Sequence, residues 1–399
     1  MIRVLSLLGI GVLAGLAGAQ SLYELDAFGT FTWDEFTGPP VACGYPTGPL
    51  LASFPYIQAA PCFAINPVPP GSLFGDITDN MIKDRVYVTD GKSVAEYSSA
   101  GAQLNVMPVA GAFGTQPLTG LGYDGKGNIL WITDGATIFG VTPSAPGSCA
   151  VPVMVAGPFP HVNPPLATDV AWEPSLGWVL VCDSGGFVTG YTPAGALVFG
   201  PMPAGATCGL GPGLQGIAVD TSTGCSGPPV INLTNGAALS RIFLFGGGPA
   251  PPTFYQTATC SAVPLPFSPG LAYAARPIHY GAGSGPTIKA TGQSCLPSPL
   301  FSISLSGGPP GGNCWLLVGL TPQCPPLTLL GQPLLLFPIS TMIGPNPVSS
   351  GGSFTLAAPL PAPGGGIPCG LSVYAQWFTK STGGVWKSSD GLEFTFSLP

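Results

Sequence analysis

A strand-rich unit with a period in the mid-forties recurs along the first two thirds of this chain. Its clearest copy is residues 118–145, LTGLGYDGKGNILWITDGATIFGVTPSA. It contains an apolar run at 120–124, a β-branched and aromatic strand at 129–133, an Asp134-Gly135 hairpin signal and a returning strand at 137–141. One such small sheet has two faces and cannot bury both alone, so the copies must pack against each other.

The copies are aligned by the residue that closes the first strand of each unit. Successive closing positions lie 44, 49 and 47 residues apart, at Asn80, Asp124, Glu173 and Asp220. The second strand ends ten residues later, at Asp90, Asp134 and Asp183, and an insertion containing Cys225 moves this position to Asn235 in the fourth copy. Returning strands are predicted at residues 94–97, 138–141, 187–191 and 242–245, and a fifth first strand at 270–273.

A mid-forties period with three or four short strands per unit is typical of β-propeller blades, which bury their faces by stacking around an axis. The sequence therefore predicts an all-β protein, with a β-propeller over residues 20–278. Five blades are favoured and six are the alternative. We expect strands near residues 22–25 and 30–33 to complete the last blade, by joining residues 21–32 to residues 270–273.

The pattern "G-I-A-V-D", a turn and "V-Y-V-T-D-G" resembles the NHL-repeat family and, more loosely, the gluconolactonase-like propellers. The resemblance extends over residues 75–273. It implies a propeller fold, and the looser resemblance raises the alternative of a metal-dependent lactonase-type hydrolase with acids at the propeller mouth.

Residues 279–399 have a different pattern, with short strand-like runs separated by Gly, Pro and Ser. The runs lie at residues 301–305, 314–320, 334–337, 353–356, 371–378 and 392–398. They predict a small β-sandwich. The segments LSVYAQW and GLEFT resemble a C-terminal module on exported planctomycete-type bacterial proteins, which implies an accessory or surface-display role.

The N-terminus predicts export. One Arg, a short apolar run and an Ala-x-Ala ending within residues 1–19 are typical of a secretory signal peptide. No later apolar run is long enough to predict a membrane span. The formal net charge is −7, with only 7% charged residues and no Lys/Arg cluster, which argues against nucleic acid as a partner. We expect a protein that is secreted or at the cell surface.

The chain has 11 cysteines, so an exported protein should pair most of them and leave at least one unpaired. Cys182 lies in a strand where the equivalent positions hold Thr89 and Thr133, so we interpret it as a buried free thiol. Neighbouring cysteines suggest three disulfides, at Cys43–Cys62, Cys208–Cys225 and Cys314–Cys324.

Candidate ligands are the acids that recur at strand ends. Asp90, Asp134 and Asp183 could line one end of the ring and bind Ca²⁺ or a sugar. The alternative, which we favour, is that each carboxylate binds the amides of its own turn. Asp124, Glu173 and Asp220 have the same two interpretations. The tryptophans could stack on a sugar, although packing between blades is favoured: Trp131, Trp172 and Trp178.

The sequence contains no pair of residues that spacing identifies as nucleophile and base. His161 and His279 could each act as a base, but no neighbour in the sequence orients them. We therefore predict a non-catalytic binding protein for a protein or glycan ligand, without a required cofactor. A metal-dependent hydrolase using Ca²⁺ or another ion, and a structural envelope protein, are the alternatives.

Overall fold

The structure is a computed structural model, and it describes most of the chain from residue 21 onward. The described residues are 21–26, 32–37, 50–55, 75–80, 83, 85–98, 102–115, 117–163, 166–207, 210–220, 230–236, 238–245, 253–256, 263–264, 271–274, 278–280, 283–291, 294, 296–299, 301–361 and 371–396. The expected signal peptide and the predicted pairs Cys43–Cys62 and Cys208–Cys225 lie outside them.

Antiparallel sheets of four strands follow one another along the N-terminal two thirds of the described chain. The first strands are β1 (Ser21–Asp26), β2 (Thr32–Thr37) and β3 (Leu50–Pro55). The next sheet contains β4 (Asp76–Asn80), β5 (Arg85–Thr89), β6 (Ser93–Ser98) and β7 (Gln103–Pro108). After the short helix α1 (Ala110–Phe113) come β8 (Gly120–Asp124), β9 (Ile129–Thr133), β10 (Thr137–Thr142) and β11 (Val153–Pro160).

Two further sheets continue this arrangement. One contains β12 (Ala167–Glu173), β13 (Trp178–Asp183), β14 (Val188–Tyr191) and β15 (Leu197–Met202). Helix α2 (Ala204–Thr207) precedes β16 (Gly216–Asp220), β17 (Val230–Thr234), β18 (Ala238–Phe245) and β19 (Thr253–Gln256), and β20 (Val263–Pro264) also pairs with β18. The residues chosen to align the copies do close the first strands, which confirms the predicted register.

The first strands of the sheets surround a common axis. Strand β4 contacts β8, β8 contacts β12, and β12 contacts β16. Strand β21 (Leu271–Ala274) contacts both β16 and β4, so the cycle of contacts is closed. This radial arrangement of four-stranded sheets is a β-propeller, as the repeat predicts.

The N-terminus closes the ring. Strand β1 pairs antiparallel with β21, from Ser21 opposite Ala274 to Glu24 opposite Leu271, and with β2 on its other side. The sheet order β21-β1-β2-β3 therefore combines the two ends of the propeller sequence in one blade. This pairing confirms the predicted closure, which leaves neither end of the ring with an open strand edge at the seam.

Apolar and aromatic side chains fill the spaces between blades. Trp131 on β9 is fully buried and stacks on Trp172 of β12, with ring centroids 6.2 Å apart. Phe159 of β11 packs on Tyr191 of β14 at 5.4 Å. Counting blades from the sheet that begins with β4, these contacts join the second blade, β8 to β11, to the third blade, β12 to β15. Packing between the faces of neighbouring blades is the main way in which a propeller excludes water.

The C-terminal residues form a separate set of sheets. Strands β22 (Ile278–Tyr280), β23 (Thr287–Thr291), β24 (Ser302–Ser306) and β25 (Asn313–Gly319) come first. They are followed by β26 (Pro322–Leu329), β27 (Gln332–Leu336), β28 (Ile339–Pro347), β29 (Phe354–Ala357), β30 (Ser372–Lys380) and β31 (Trp386–Thr395). The sheets β22-β31-β30-β25-β28 and β23-β24-β29 share one hydrophobic core around Trp377, and β26 and β27 form a hairpin.

The structure corrects one predicted disulfide. Cys314 is a buried free thiol in the core between the two C-terminal sheets, so the predicted Cys314–Cys324 pair is wrong. The reason is that Cys314 lies on the inward face of β25, whereas Cys324 belongs to β26, which pairs with β27. Cys182 is buried and free, as predicted, and Cys149 is disulfide-bonded.

Candidate functional site

A Thr-Asp-Gly turn follows the second strand of the first two blades. In the first of them, Gly91 donates its backbone N–H to Thr89 Oγ1 at 3.1 Å, and Asp90 Oδ1 accepts N–H groups from Lys92 and Ser93 at 2.9 and 2.8 Å. Each glycine adopts a positive φ, near +84° at Gly91 and +88° at Gly135, which favours residues without a side chain.

Asp134 repeats this arrangement and Asp183 varies it. Asp134 Oδ1 accepts N–H groups from Ala136 at 3.1 Å and Thr137 at 2.7 Å. Asp183 Oδ1 accepts N–H groups from Gly185 at 2.8 Å and Phe187 at 3.1 Å. The carboxylates therefore fix the turns that contain them, as aspartates do in such turns.

The same turns join neighbouring blades. Leu118 N donates to Gly91 O at 2.7 Å, and Ala167 N donates to Gly135 O at 2.9 Å. Within each blade, the start of the first strand lies beside the end of the second strand. These turns and the β11–β12 loop therefore lie at one end of the ring. We call the end that carries Asp90, Asp134 and Asp183 the turn end.

The metal interpretation of these three aspartates stays a prediction. Within the described ranges, no group of three or more His, Cys, Asp and Glu side chains is placed to hold a metal ion. In each of the three aspartates, Oδ1 accepts hydrogen bonds from amides of its own turn. The hydrogen bonds support the structural interpretation.

The acids that close the first strands behave similarly at the opposite end of the ring. Asp124 Oδ1 accepts N–H groups from Lys126 and Gly127 at 3.0 and 2.9 Å. Glu173 accepts from Ser175 N at 3.1 Å and from Leu176 N at 2.5 Å. The turn after Asp220 lies outside the described residues.

The three tryptophans pack inside the protein. Trp131 and Trp172 stack on each other between blades, and Trp178 packs on Phe199 with centroids 5.7 Å apart. Trp131 has no exposed surface. Trp131 therefore offers no open face to a sugar ring, Trp172 and Trp178 are half-buried, and the packing of all three agrees with the favoured interpretation.

A polar cluster at the turn end fixes the loop between β11 and β12. His161 Nδ1 lies 2.9 Å from Tyr191 Oη, which also accepts the Val162 N–H at 3.0 Å. Asn163 Nδ2 donates to Asp183 Oδ2 at 2.6 Å, and His161 Nε2 lies 3.6 Å from the same oxygen. Tyr191 and Asp183 thus orient a histidine that had no orienting neighbour in the sequence.

Burial makes this cluster a rigid support. The His161 and Asp183 side chains are 2% and 0% exposed. Burial alone would raise the pKa of Asp183, but the interaction with His161 and the hydrogen bonds from Asn163, Phe187 and Gly185 outweigh it and lower that pKa. Asp183 is therefore a buried anion that is stabilised by several donors.

Two apolar side chains project from the loop that this cluster holds. Val162 is 51% exposed and Leu166 is 56% exposed. Leu166 O accepts the Ser184 N–H at 3.1 Å, so both ends of the loop are hydrogen-bonded to the third blade. Exposed apolar residues on a constrained backbone are typical of surfaces that bind other proteins.

A second buried cluster lies at the axis, where sequence analysis proposed no site. Asp76 begins β4 and Asp169 lies near the start of β12, both with no exposed surface. The charge of Asp169 acts on Asp76, and Asp76 Oδ1 is a buried oxygen without a hydrogen-bond partner among the described residues. The backbone N–H of Leu121 donates to Asp76 Oδ2, and that of Ile217 donates to Asp169 Oδ2 at 2.7 Å. Each aspartate therefore reaches the first strand of the following blade.

Gly120 allows the backbone of β12 at Asp169 to approach β8 closely. A Cβ atom on Gly120 would lie 2.9 Å from the carbonyl carbon of Asp169 and closer still to its Cα. Burial, followed by the charge of Asp169, raises the pKa of Asp76 well above its usual range. Burial also raises the pKa of Asp169, to about 7. The pair therefore binds a proton that two exposed aspartates would lose.

A sequence signal for this pair existed in the alignment of the blades. The first position of the first strand is Asp76, Gly120, Asp169 and Gly216 in successive copies. In this alignment, the same buried position at the start of the first strand holds aspartate and glycine in alternate blades. Acids are almost never buried without a partner, so this pattern indicates that the two aspartates are partners.

No protein-family model matches the chain. No curated protein matches it either. The structure is similar to the hemopexin-fold protein CP4 from cow pea, at 13% identity over 47% of this chain and 92% of that one, with a TM-score of 0.32. It is also similar to the calcium-binding protein regucalcin from Agrobacterium tumefaciens, at 9% identity over 82% and 93%, with a TM-score of 0.32.

A third similar structure is the WD40 domain of SCAP from fission yeast, at 10% identity over 81% of this chain and 87% of that one, with a TM-score of 0.31. Likenesses this distant carry no argument about function. The propeller assignment rests on the strand pairing and on the cycle of first strands. No helix among the described residues is both long and apolar enough to cross a bilayer.

Proposed function

We propose that this protein is an exported, non-catalytic β-propeller that binds a protein partner through the turn end of the ring, at the cell surface or outside the cell. The observation that supports this most strongly is the loop carrying Val162 and Leu166. Its apolar side chains are exposed, and partly buried hydrogen bonds from the Val162 N–H to Tyr191 and from the Asn163 side chain to Asp183 hold the described part of the loop. A preformed loop loses little conformational entropy on binding, which favours affinity.

The other functions considered have less support from the geometry. A lactonase-type site needs acids that converge on an ion, whereas Asp90, Asp134 and Asp183 each bind the amides of their own turns. A glycan site needs an accessible aromatic face, whereas Trp131 and Trp172 cover each other. A protein partner therefore agrees best with the apolar loop.

The wider organisation that we propose has three parts. Residues 1–19 direct export, residues 20–278 form a five-bladed propeller of NHL-like repeats, and residues 279–399 form a β-sandwich module for display or attachment. Four four-stranded sheets and one five-stranded sheet within the described residues, with the closed cycle of contacts among β4, β8, β12, β16 and β21, support the number of blades. A core shared by the two larger C-terminal sheets supports the sandwich.

Photo-crosslinking tests the binding role. A photoreactive amino acid is placed at Val162 or Leu166, and at Leu176 as a matched control, since Leu176 is an exposed apolar residue in the turn at the opposite end of the ring. The probe is the surface and secreted protein fraction of the source cells. We expect one crosslinked protein from positions 162 and 166 and none from 176. The purified partner should bind the native chain, and Val162→Asp should weaken binding at least tenfold.

The same preparations test the alternatives. In a calcium titration by calorimetry, we expect no stoichiometric binding heat from the native chain, and therefore none for Asp134→Ala and Asp183→Ala to abolish. Added metal should not accelerate the hydrolysis of gluconolactone. Metal-dependent hydrolysis lost in those variants would replace the binding role with the hydrolase. Equal crosslinking at positions 162 and 176, or none at either, would favour a structural envelope protein.

A further inference from the structure

The carboxyl pair at the propeller axis has no part in the proposed binding surface, yet it is built with several supporting contacts. We propose that the contact between Asp76 and Asp169 depends on a bound proton, and we call this contact the latch. One proton shared by the two carboxyl groups fastens the third blade to the first, and loss of that proton loosens the ring. This inference does not depend on the identity of any partner.

The hydrogen bonds explain why the latch would act on several blades. Asp76 belongs to the first blade, accepts from Leu121 of the second, and lies close enough to Asp169 of the third for the two charges to interact. Asp169 in turn accepts from Ile217 of the fourth blade. Four consecutive first strands are therefore connected through two side chains, and a change at the pair is transmitted directly to their packing.

The geometry also explains why the proton is essential to the contact. Both side chains are fully buried, and Gly120 contributes no side chain between them. Two carboxylates this close in a buried site repel each other, because water cannot screen their charges. A proton converts one of them into a donor, so that repulsion becomes a hydrogen bond in which Asp76 donates to Asp169.

The surrounding strands bring no described cation to the pair. On β13, Cys182 faces Asp169 as a neutral thiol, because burial and the charge of Asp169 raise its pKa, and Asp183 follows it. The charged and phenolic groups of β5, β8 and β16 lie toward the other ends of those strands: Arg85, Tyr87, Tyr123, Asp124 and Asp220. Strand β9 has no titratable residue. Strands β1 and β21 carry titratable residues whose side chains are not described: Tyr23, Glu24, Asp26 and Tyr273.

The direction of the pH effect follows from the raised pKa values. Above the usual pKa of an aspartate, the folded pair holds protons that the unfolded chain has released: Asp169 keeps one up to about pH 7, and Asp76, whose pKa burial raises well above its usual range, keeps its own at higher pH. Stability therefore falls as pH rises through this interval, because the folded state binds more protons than the unfolded state. The pair contributes fully only in acid, below the unfolded pKa.

Thermal unfolding of the full chain between pH 4 and pH 9 tests the latch. We expect the melting temperature of the native protein to fall by at least about 4 °C between pH 5 and pH 8. Asp76→Asn should flatten this decline, because an amide donates to Asp169 at every pH. The matched control is Asp124→Asn, which alters a carboxylate that binds only its own turn, and it should keep the native pH dependence.

A second measurement covers the case in which Asp76→Asn does not fold. The infrared spectrum of the native protein should keep the carbonyl band of a protonated carboxylic acid above pH 6. That band should survive Glu173→Gln, which removes another carboxyl group whose pKa burial raises. Its absence, or equal pH dependence of the native protein and Asp76→Asn, would overturn the proposal. The proposal would also be overturned if added Ca²⁺ restored stability at pH 8 in the native protein but not in Asp76→Asn, because a metal ion would then replace the proton.

Discussion

At the residue scale, glycines determine how closely the second and third blades approach. Gly120 and Gly122 both lie on β8, and Cβ atoms there would meet the backbone of β12 at 2.9 Å from Asp169 C and 2.7 Å from Val170 O, respectively. These distances are shorter than any that a real side chain tolerates without movement of its neighbours. The close approach of β8 and β12 at the propeller axis therefore requires glycine at both positions.

Gly120→Ala should consequently destabilise the protein by about 2 kcal/mol or more, because overpacking of a rigid contact forces the backbone to shift. Gly111→Ala is the matched control, since a Cβ on Gly111 in helix α1 meets nothing within 4 Å and alanine favours a helix. Chemical denaturation of both variants measures the difference. Equal stability would show that β12 moves away from β8 at little cost.

Residue-scale prediction from sequence succeeded where the partners are local. The contacts of Asp134 follow from the turn that contains it, because Ala136 and Thr137 are only a few residues away. The pairs Asp76–Asp169 and His161–Asp183 were missed, since the first joins different blades and the second joins a loop to a strand end. The local sequence pattern does not specify which residues of different blades come into contact.

At the element scale, strand β1 has more influence on the ring than its length suggests. It provides the pairing surface for β21 on one side and for β2 on the other. Inner strands such as β9 were predicted well because β-branched residues mark them. Strand β28, with residues Ile339–Pro347, was missed because it is largely exposed and interrupted by proline, so no apolar alternation marks it.

Deletion of residues 21–35 should unfold the whole propeller in one step. It removes β1 and most of β2, so β21 and β3 would each lose a partner and expose an edge. The control is deletion of residues 1–20, which leaves β1 intact and should not change the melting temperature. Circular dichroism and calorimetry measure both variants. A deletion of residues 21–35 that melts at the parent temperature would contradict closure by β1.

At the scale of the whole molecule, the sheet partner changes between β21 and β22. Strand β21 pairs within the ring, whereas β22 pairs with β31 of the C-terminal sheet. The predicted boundary at residue 279 remains a prediction, and the strand pairing suggests that the connection lies at residues 275–277.

A recognition site for a specific protease, inserted between Ala274 and Ile278, tests this boundary. Cleavage should release two folded fragments that separate by size exclusion, since few contacts should cross a linker. The matched control is the same insertion in the turn at Lys126, where cleavage should leave the pieces together in the ring. Fragments that stay associated after cleavage at residue 274, or a C-terminal piece that is unfolded by circular dichroism, would contradict two units.

The pairing of β1 with β21 also affects the order in which the chain can fold. Ser21 and Ala274 are 253 residues apart, so the first strand to leave a ribosome or an export channel waits for one of the last strands of the ring. Contacts between residues so distant in sequence form slowly. If export proceeds from the N-terminus, the ring cannot close until most of the chain has crossed, which keeps the protein in a form that a narrow channel accepts.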